Sequence, residues 1–151
     1  MGNNKLSQKA QAEEELRKLS IEMRYLEQTA EVLQQRITMV NAALTDATYA
    51  NATLDGIEQQ KENAELLVPI GAGSYVRAKL ADSNKVIVGM GSGVSVEKTL
   101  AEAKTTLKER LDELENTLNS AQQQFSQVAQ RINSGRERLE SLLSTVREGK
   151  S

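Results

Sequence analysis

Apolar residues in the first third of the chain fall at Leu16, Leu19, Met23, Leu26, Ala30, Leu33, Ile37, Val40, Leu44 and Ala47, stepping alternately by three and four. That is the 3.5-residue rhythm of a left-handed coiled coil. Asn51 and Leu54 continue the seam, with Gly56 close behind. A glycine inside a helix costs about 1 kcal/mol relative to alanine, so this arm is expected to weaken there. The last third repeats the rhythm through Leu111, Leu114, Leu118, Ala121, Phe125, Val128, Ile132, Gly135, Leu139, Leu142 and Val146, with Gly135 as the one gap. Just upstream, Ala103, Leu107 and Leu111 take two steps of four, a stutter that locally unwinds the supercoil. Thr99-Leu-Ala-Glu102 has the form of a capping box and marks a helix start. The pattern predicts helices over residues 5–64 and 99–148.

Two long arms joined by a short insert should fold back on each other. The expected product is a long antiparallel coiled-coil hairpin with both chain ends together and the insert at the other end. Register then places Asn51 to Leu54 near Leu107, Leu16 near Leu143, and Gly135 near Leu26. Positions off the seam are mostly Glu, Gln, Lys, Arg, Asn and Ser, so the outer face is solvated. Two parallel coils with separate partners are the alternative, and they make poor use of so short a connection.

Between residues 66 and 98 the period changes to two. Val68 and Ile70 flank Pro69; Tyr75 and Val76 lead to Leu80; Asp82-Ser-Asn-Lys85 is a turn before Val86-Ile87-Val88; and Gly89-Met-Gly-Ser-Gly93 is a turn before Val94 and Val96. These are four short strands forming two hairpins, with Pro69 at an edge or a strand end. So little sheet is unstable alone in water, and its open edges invite other chains. The residues expected to join an intersubunit β-barrel are Val68, Ile70, Tyr75, Val76, Leu80, Val86, Ile87, Val88, Val94 and Val96. The fold class is therefore mainly α with a small β insert.

The glycine clusters have a second reading as phosphate loops. A dinucleotide fingerprint starting at Gly89 and Gly91 needs a glycine at position 94, which is Val94, and no Walker lysine follows either cluster. Neither cluster opens directly into a long helix. Hairpin turns, where glycine readily supplies positive φ, are the expected use.

Composition narrows the chemistry. The chain has no cysteine, no histidine, no tryptophan and one phenylalanine among 151 residues. Aromatic poverty suits a thin, elongated core. Disulfides, thiolate or imidazole chemistry and the usual zinc sets are excluded, so no metal, cofactor or catalytic residue is expected. A net charge of −2 does not suggest a nucleic-acid partner. No apolar run approaches the length of a membrane span, and the first residues lack a signal-peptide core. Gly2 is followed by Leu6, where a myristoylation signal expects Ser or Thr. A cytoplasmic location is the expectation.

The stretches LVPIGAGSYVRAKL (67–80) and KVIVGMGSGVSVEKTLAEA (85–103) closely resemble the central segment of archaeal prefoldin α subunits. The heptad arms on either side match that family's organisation by pattern. The resemblance implies an ATP-independent chaperone, in which two α and four β subunits join their strands in a double β-barrel platform. Six coiled coils project from it, hold unfolded polypeptides at their tips, and pass them to a group II chaperonin. It also implies α–α and α–β contacts between Leu67 and Val96.

Tip residues expected to meet a client are Leu6, Ala10, Leu16 and Leu19 from one arm and Leu139, Leu142, Leu143 and Val146 from the other. The same seam residues also have the plain role of closing the coil, and Leu143 lies beside that seam. The lightly charged strip from Ile37 to Leu54, with Tyr49, is either an ordinary helix face or client-facing. Arg77 and Lys79 face solvent or an acidic partner. Asn51-Ala-Thr53 matches a glycosylation sequon by chance. Two other functions stay open on the residues alone. A coiled-coil scaffold or adaptor shares all the helix evidence, whereas an enzyme built on the glycine loops lacks His, Cys and clustered carboxylates.

Overall fold

A computed structural model describes residues 2–148. The elements run α1 (Gly2–Glu58), β1 (Glu65–Gly71), β2 (Ser74–Lys79), β3 (Lys85–Gly91), β4 (Val94–Thr99) and α2 (Leu100–Glu148). They form two compact units. One contains residues 2–40 and 117–148, and the other is Asn41–Asn116.

The first unit is an antiparallel pair made from the start of α1 and the end of α2. Glu15 meets Arg138 and Glu22 meets Arg131, so the partner's number falls as α1 advances. The heptad seam is the core. Met23, Leu26 and Ile132 are buried together, with Leu19, Ala30, Val128 and Leu139 packed around them. Buried Leu33, Ile37, Ala121 and Leu142 extend the same line. Ala12 is also buried, so the seam reaches one step before Leu16.

Gly135 is the seam's gap for a reason. A Cβ built there would overlap Met23 Sδ, so Met23 fills the hollow that glycine leaves. The expected neighbour was Leu26; the observed one is Met23, close to one helical turn away.

The second unit holds both hairpins and the helix segments beside them. Its core is Leu54, Val88, Leu100 and Ala103, with Ile57, Val86 and Leu107 against it. Ala103 is fully buried, which suits the small residue at the stutter. The Asn51 Nδ2 donates to the Ala47 carbonyl and, across the pair, to the Leu107 carbonyl at 3.4 Å. Asn51 is thus a half-buried seam residue, which fits the chance reading of the sequon around it. Lys104 reaches both Asp55, at 3.0 Å, and Glu58.

The first helix is expected to run to residue 64 but ends at Glu58. After Ile57 the chain reads Glu-Gln-Gln-Lys-Glu-Asn, with no apolar residue to hold a further turn against the core. The last amides bond three residues back, Gln59 N–H to the Gly56 carbonyl and Gln60 N–H to the Ile57 carbonyl. Asn63 then takes a φ of 61°, a left-handed conformation that asparagine tolerates. At the other helix start Thr99 acts as the N-cap, its Oγ1 accepting the Glu102 N–H at 3.2 Å. Within α1, hydroxyls of Ser20, Thr29, Thr38, Thr45, Thr48 and Thr53 bond the carbonyls four residues back, which lets a threonine-rich helix stay satisfied.

The two hairpins are copies of one design. Glu65↔Lys79, Val68↔Val76 and Gly71↔Ser74 in β1–β2 become Lys85↔Thr99, Val88↔Val96 and Gly91↔Val94 in β3–β4, each shifted by twenty residues. Both carry an irregularity just before the turn, between Pro69 and Gly71 and between Gly89 and Gly91. Both turn on two residues of positive φ, Ala72–Gly73 and Ser92–Gly93. That is the twist-matched two-residue turn of a tight hairpin, so the glycine clusters serve as turns. An Asx contact, Asn84 N–H to Asp82 Oδ1 at 2.9 Å, shapes the link between the hairpins.

Candidate interaction surfaces

Alternation along a strand sends neighbouring side chains to opposite faces. In β1–β2 one face carries Leu66, Val68, Val76 and Ala78, and the other carries Leu67, Pro69, Tyr75 and Arg77. Both faces are rich in apolar groups and neither is well covered. Leu67, Ile70 and Tyr75 are 60% exposed or more, and Val68 and Val76 are exposed as well. Only the base is partly buried, where Asn63 and Ala64 exchange backbone hydrogen bonds with Leu80. A two-stranded ribbon with two uncovered apolar faces is a surface that wants a partner.

The copy β3–β4 is placed differently. Its Val88 is 3% exposed because Leu54, Leu100 and Ala103 close over it, and Val86 packs beside them. Val86 and Val88 are among the residues expected at an intersubunit contact; within this chain Val88 belongs to the core and Val86 packs half-buried against it. Leu80 is also half-buried. Ile87, on the opposite face, is 76% exposed, and Met90, Val94 and Val96 are exposed too. Arg77 and Lys79 are exposed. Arg110 donates to Met90 Sδ at 3.5 Å, tying the bulge of β3 to α2.

The second candidate surface is the end of the helix pair that holds Leu6 and Leu143. Leu6 is 67% exposed and Leu143 40%, whereas Leu142 is buried in the seam. Leu16, Leu19, Leu139 and Val146 are half-buried, and Ala10 is exposed. Leu142 therefore meets an outside chain only when the end of the pair opens. Arg138 clasps Glu15 with both its Nε and an Nη, at 2.9 and 3.0 Å. The hydrogen bond from Arg138 holds the Glu15 carboxyl below its usual range, and Glu15 in turn holds Arg138 further up. In the other unit, hydrogen bonds to Glu58 and then Asp55 raise Lys104. The strip from Ile37 to Leu54 includes an open groove lined by Asn41, Leu44, Thr45, Thr48, Tyr49 and Ala52, with Tyr49 exposed.

Among the described residues no group of three or more potential ligands could hold a metal ion, and no helix is long and apolar enough to cross a membrane.

Comparison with known proteins agrees with this architecture. The family model described as prefoldin subunit matches residues 26–145. A relative from Methanococcoides burtonii named prefoldin subunit alpha is 35% identical over 121 residues, 80% of this chain and 88% of that protein. One of the same name from Pyrococcus horikoshii is 35% identical over 124 residues, covering 82% of this chain and 84% of the relative. Among solved structures, a filamentous PFD from Methanocaldococcus jannaschii aligns with a TM-score of 0.62 at 23% identity, covering 74% of this chain and 92% of that one. That last likeness concerns the fold.

Proposed function

Because the chain belongs to the prefoldin family of chaperones, we propose that it is an ATP-independent holdase subunit. It captures unfolded or nascent polypeptides at the Leu6–Leu143 end of its helix pair and hands them to a group II chaperonin. Its hairpins join those of β-type subunits in a shared β-barrel, two chains of this kind with four of the other, in the cytoplasm. No catalytic step is assigned to it.

The observation that carries this reading is the β1–β2 hairpin, apolar on both faces and uncovered on both. Residues Val68, Ile70, Tyr75 and Val76, with Ile87, Val94 and Val96 from the second hairpin, supply the contact. Val86 and Val88 support it from beneath. At the client end Leu6 and Leu143 are available at once. Leu139, Leu142 and Val146, with Leu16 and Leu19, are added as the last turns open. Each such contact is weak, and several arms acting on one client multiply their effect.

The test uses the chain assembled with a β-type partner. A chemically unfolded model protein is diluted into it without ATP, and turbidity and particle mass are read by light scattering on one sample. Suppressed aggregation by a hexamer-sized particle supports the holdase. A well-formed oligomer that leaves aggregation untouched supports a scaffold or adaptor instead.

A further inference from the structure

Within the helix-pair unit, α1 carries a second apolar line. Ile21, Tyr25, Val32 and Met39 are 64%, 68%, 63% and 72% exposed. They are spaced by four, seven and seven residues. At about 100° per residue all four lie in a strip about 40° wide. Met23, Leu26, Leu33 and Ile37, buried against α2, occupy the opposite side of the same helix. Scattered exposed apolar residues are ordinary on any protein, but four large ones in line on a helix are not.

The stripe itself says what fits it. Gln28 and Gln35 stand at the intervening positions of the three–four rhythm, so the continuous apolar seam that a third coiled-coil helix needs is broken. Four side chains of this size offer on the order of 400–500 Å² of apolar surface together. A stable specific interface takes about 800 Å² from each partner, built around a compact, closely packed apolar centre. A single file of side chains about 40° wide, broken by two glutamines, does not supply the centre that a permanent subunit or a second copy needs. Arg24 and Glu31 border one side and Glu22 and Arg36 the other, so neither sign of charge selects the partner. Anchors of one heptad lie about 10 Å apart, the length of about three residues of extended chain.

We propose that this stripe is a second client-holding surface, which takes apolar segments of a non-native polypeptide along the shaft of α1. The proposal rests on the holdase reading above. It adds a site that the tip residues do not include.

The test uses the full chain assembled with its β-type partner. One variant carries Ile21→Gln, Tyr25→Gln, Val32→Gln and Met39→Gln; glutamine is a good helix former and already alternates along the stripe, so α1 is retained. Assembled mass should be unchanged. The amount of complex needed for half-suppression of aggregation should rise roughly threefold to tenfold. A photo-crosslinking amino acid at position 32 should capture the unfolded model protein and not its native form. Unchanged suppression, or crosslinks from position 32 only to a neighbouring subunit, overturns the proposal. If the variant assembles poorly, crosslinking from the otherwise unaltered chain decides it. A wild-type assembly that holds no client defeats the holdase reading, and this inference with it. That result is distinct, because it appears before any variant is made.

Discussion

The two β-hairpins share a register, a bulge and a turn, yet one is half inside the protein and the other is not. Val88 is 3% exposed and its counterpart Val68 is 44% exposed. Nothing in the hairpins' own backbone explains this. The difference lies underneath: Leu54, Leu100 and Ala103 cover β3, whereas β1–β2 is anchored only at its base. One design thus serves two ends. The docked copy ties the strands to the helices, and the undocked copy is left for another chain.

The sharpest way to break this comparison is to place the same charge at matched positions. Val88→Asp buries an unpaired carboxylate and should cost the isolated subunit about 3 kcal/mol or more, read as a large fall in the thermal midpoint. Val68→Asp should cost the isolated subunit less than about 1 kcal/mol and instead abolish assembly, read as mass by light scattering. Equal effects of the two changes on subunit stability would remove the distinction between the hairpins.

A smaller effect is expected at the seam's glycine. Gly135→Leu drives a side chain into Met23 and should destabilise the helix-pair unit by about 1–3 kcal/mol, measured by denaturant unfolding. Adding Met23→Ala should recover part of the loss. An additive double variant would mean that Met23 and Gly135 do not fit one another.

In the hairpin-bearing unit Asn51 is a polar residue in an apolar seam, a device that fixes pairing at a cost in stability. Asn51→Leu should raise the melting midpoint by a few degrees while loosening register, since about 1 kcal/mol shifts a chain of this size by roughly 2–4 °C. A lowered midpoint would show that the bond to the Leu107 carbonyl outweighs apolar burial.

The smallest effect is that of pH. Glu15 has its pKa depressed by Arg138, so the stability it contributes is present above the unfolded carboxylate value and is lost as pH falls through the folded one. Lys104 is raised by Glu58 and Asp55, so its contribution is full below the ordinary lysine value and is lost as pH climbs through the folded one. With no histidine in the chain, thermal midpoints should be flat between pH 6 and 8. Glu15 is exposed, and Lys104 is half-buried beside two exposed carboxylates, so the acid and alkaline losses should be slight and weaker in high salt.

Much of this was legible in the sequence. The heptad positions proposed as seam are buried or half-buried, because a repeat of 3.5 fixes which face turns inward regardless of partner. The turns were legible because glycines bracket each strand reversal, Gly71 with Gly73 and Gly91 with Gly93, and glycine readily takes positive φ; that Ala72 and Ser92 between them take it too was not. Helix end and cross-chain register were less so. No apolar residue after Ile57 sustains α1, and Gly135's neighbour depends on how Met23 bends into the gap. The burial of Val88, with Val86 half-buried beside it, was not legible at all, since alternation marks two faces without saying which one meets a helix. The twenty-residue repeat keeps only Val68/Val88, Gly71/Gly91, Gly73/Gly93 and Val76/Val96 identical and so stays faint. Ala12 was missed because so small a side chain gives little apolar signal, and the outer stripe was missed because Gln28 and Gln35 interrupt it.

The most direct test of the account is hydrogen exchange on the two hairpins, with and without the β-type partner. In the dilute isolated chain, amides of β3–β4 should be protected and those of β1–β2 should exchange quickly. After assembly both hairpins should be protected. If β1–β2 were already protected alone, or stayed fast in the assembled particle, it would not be the surface that another chain completes.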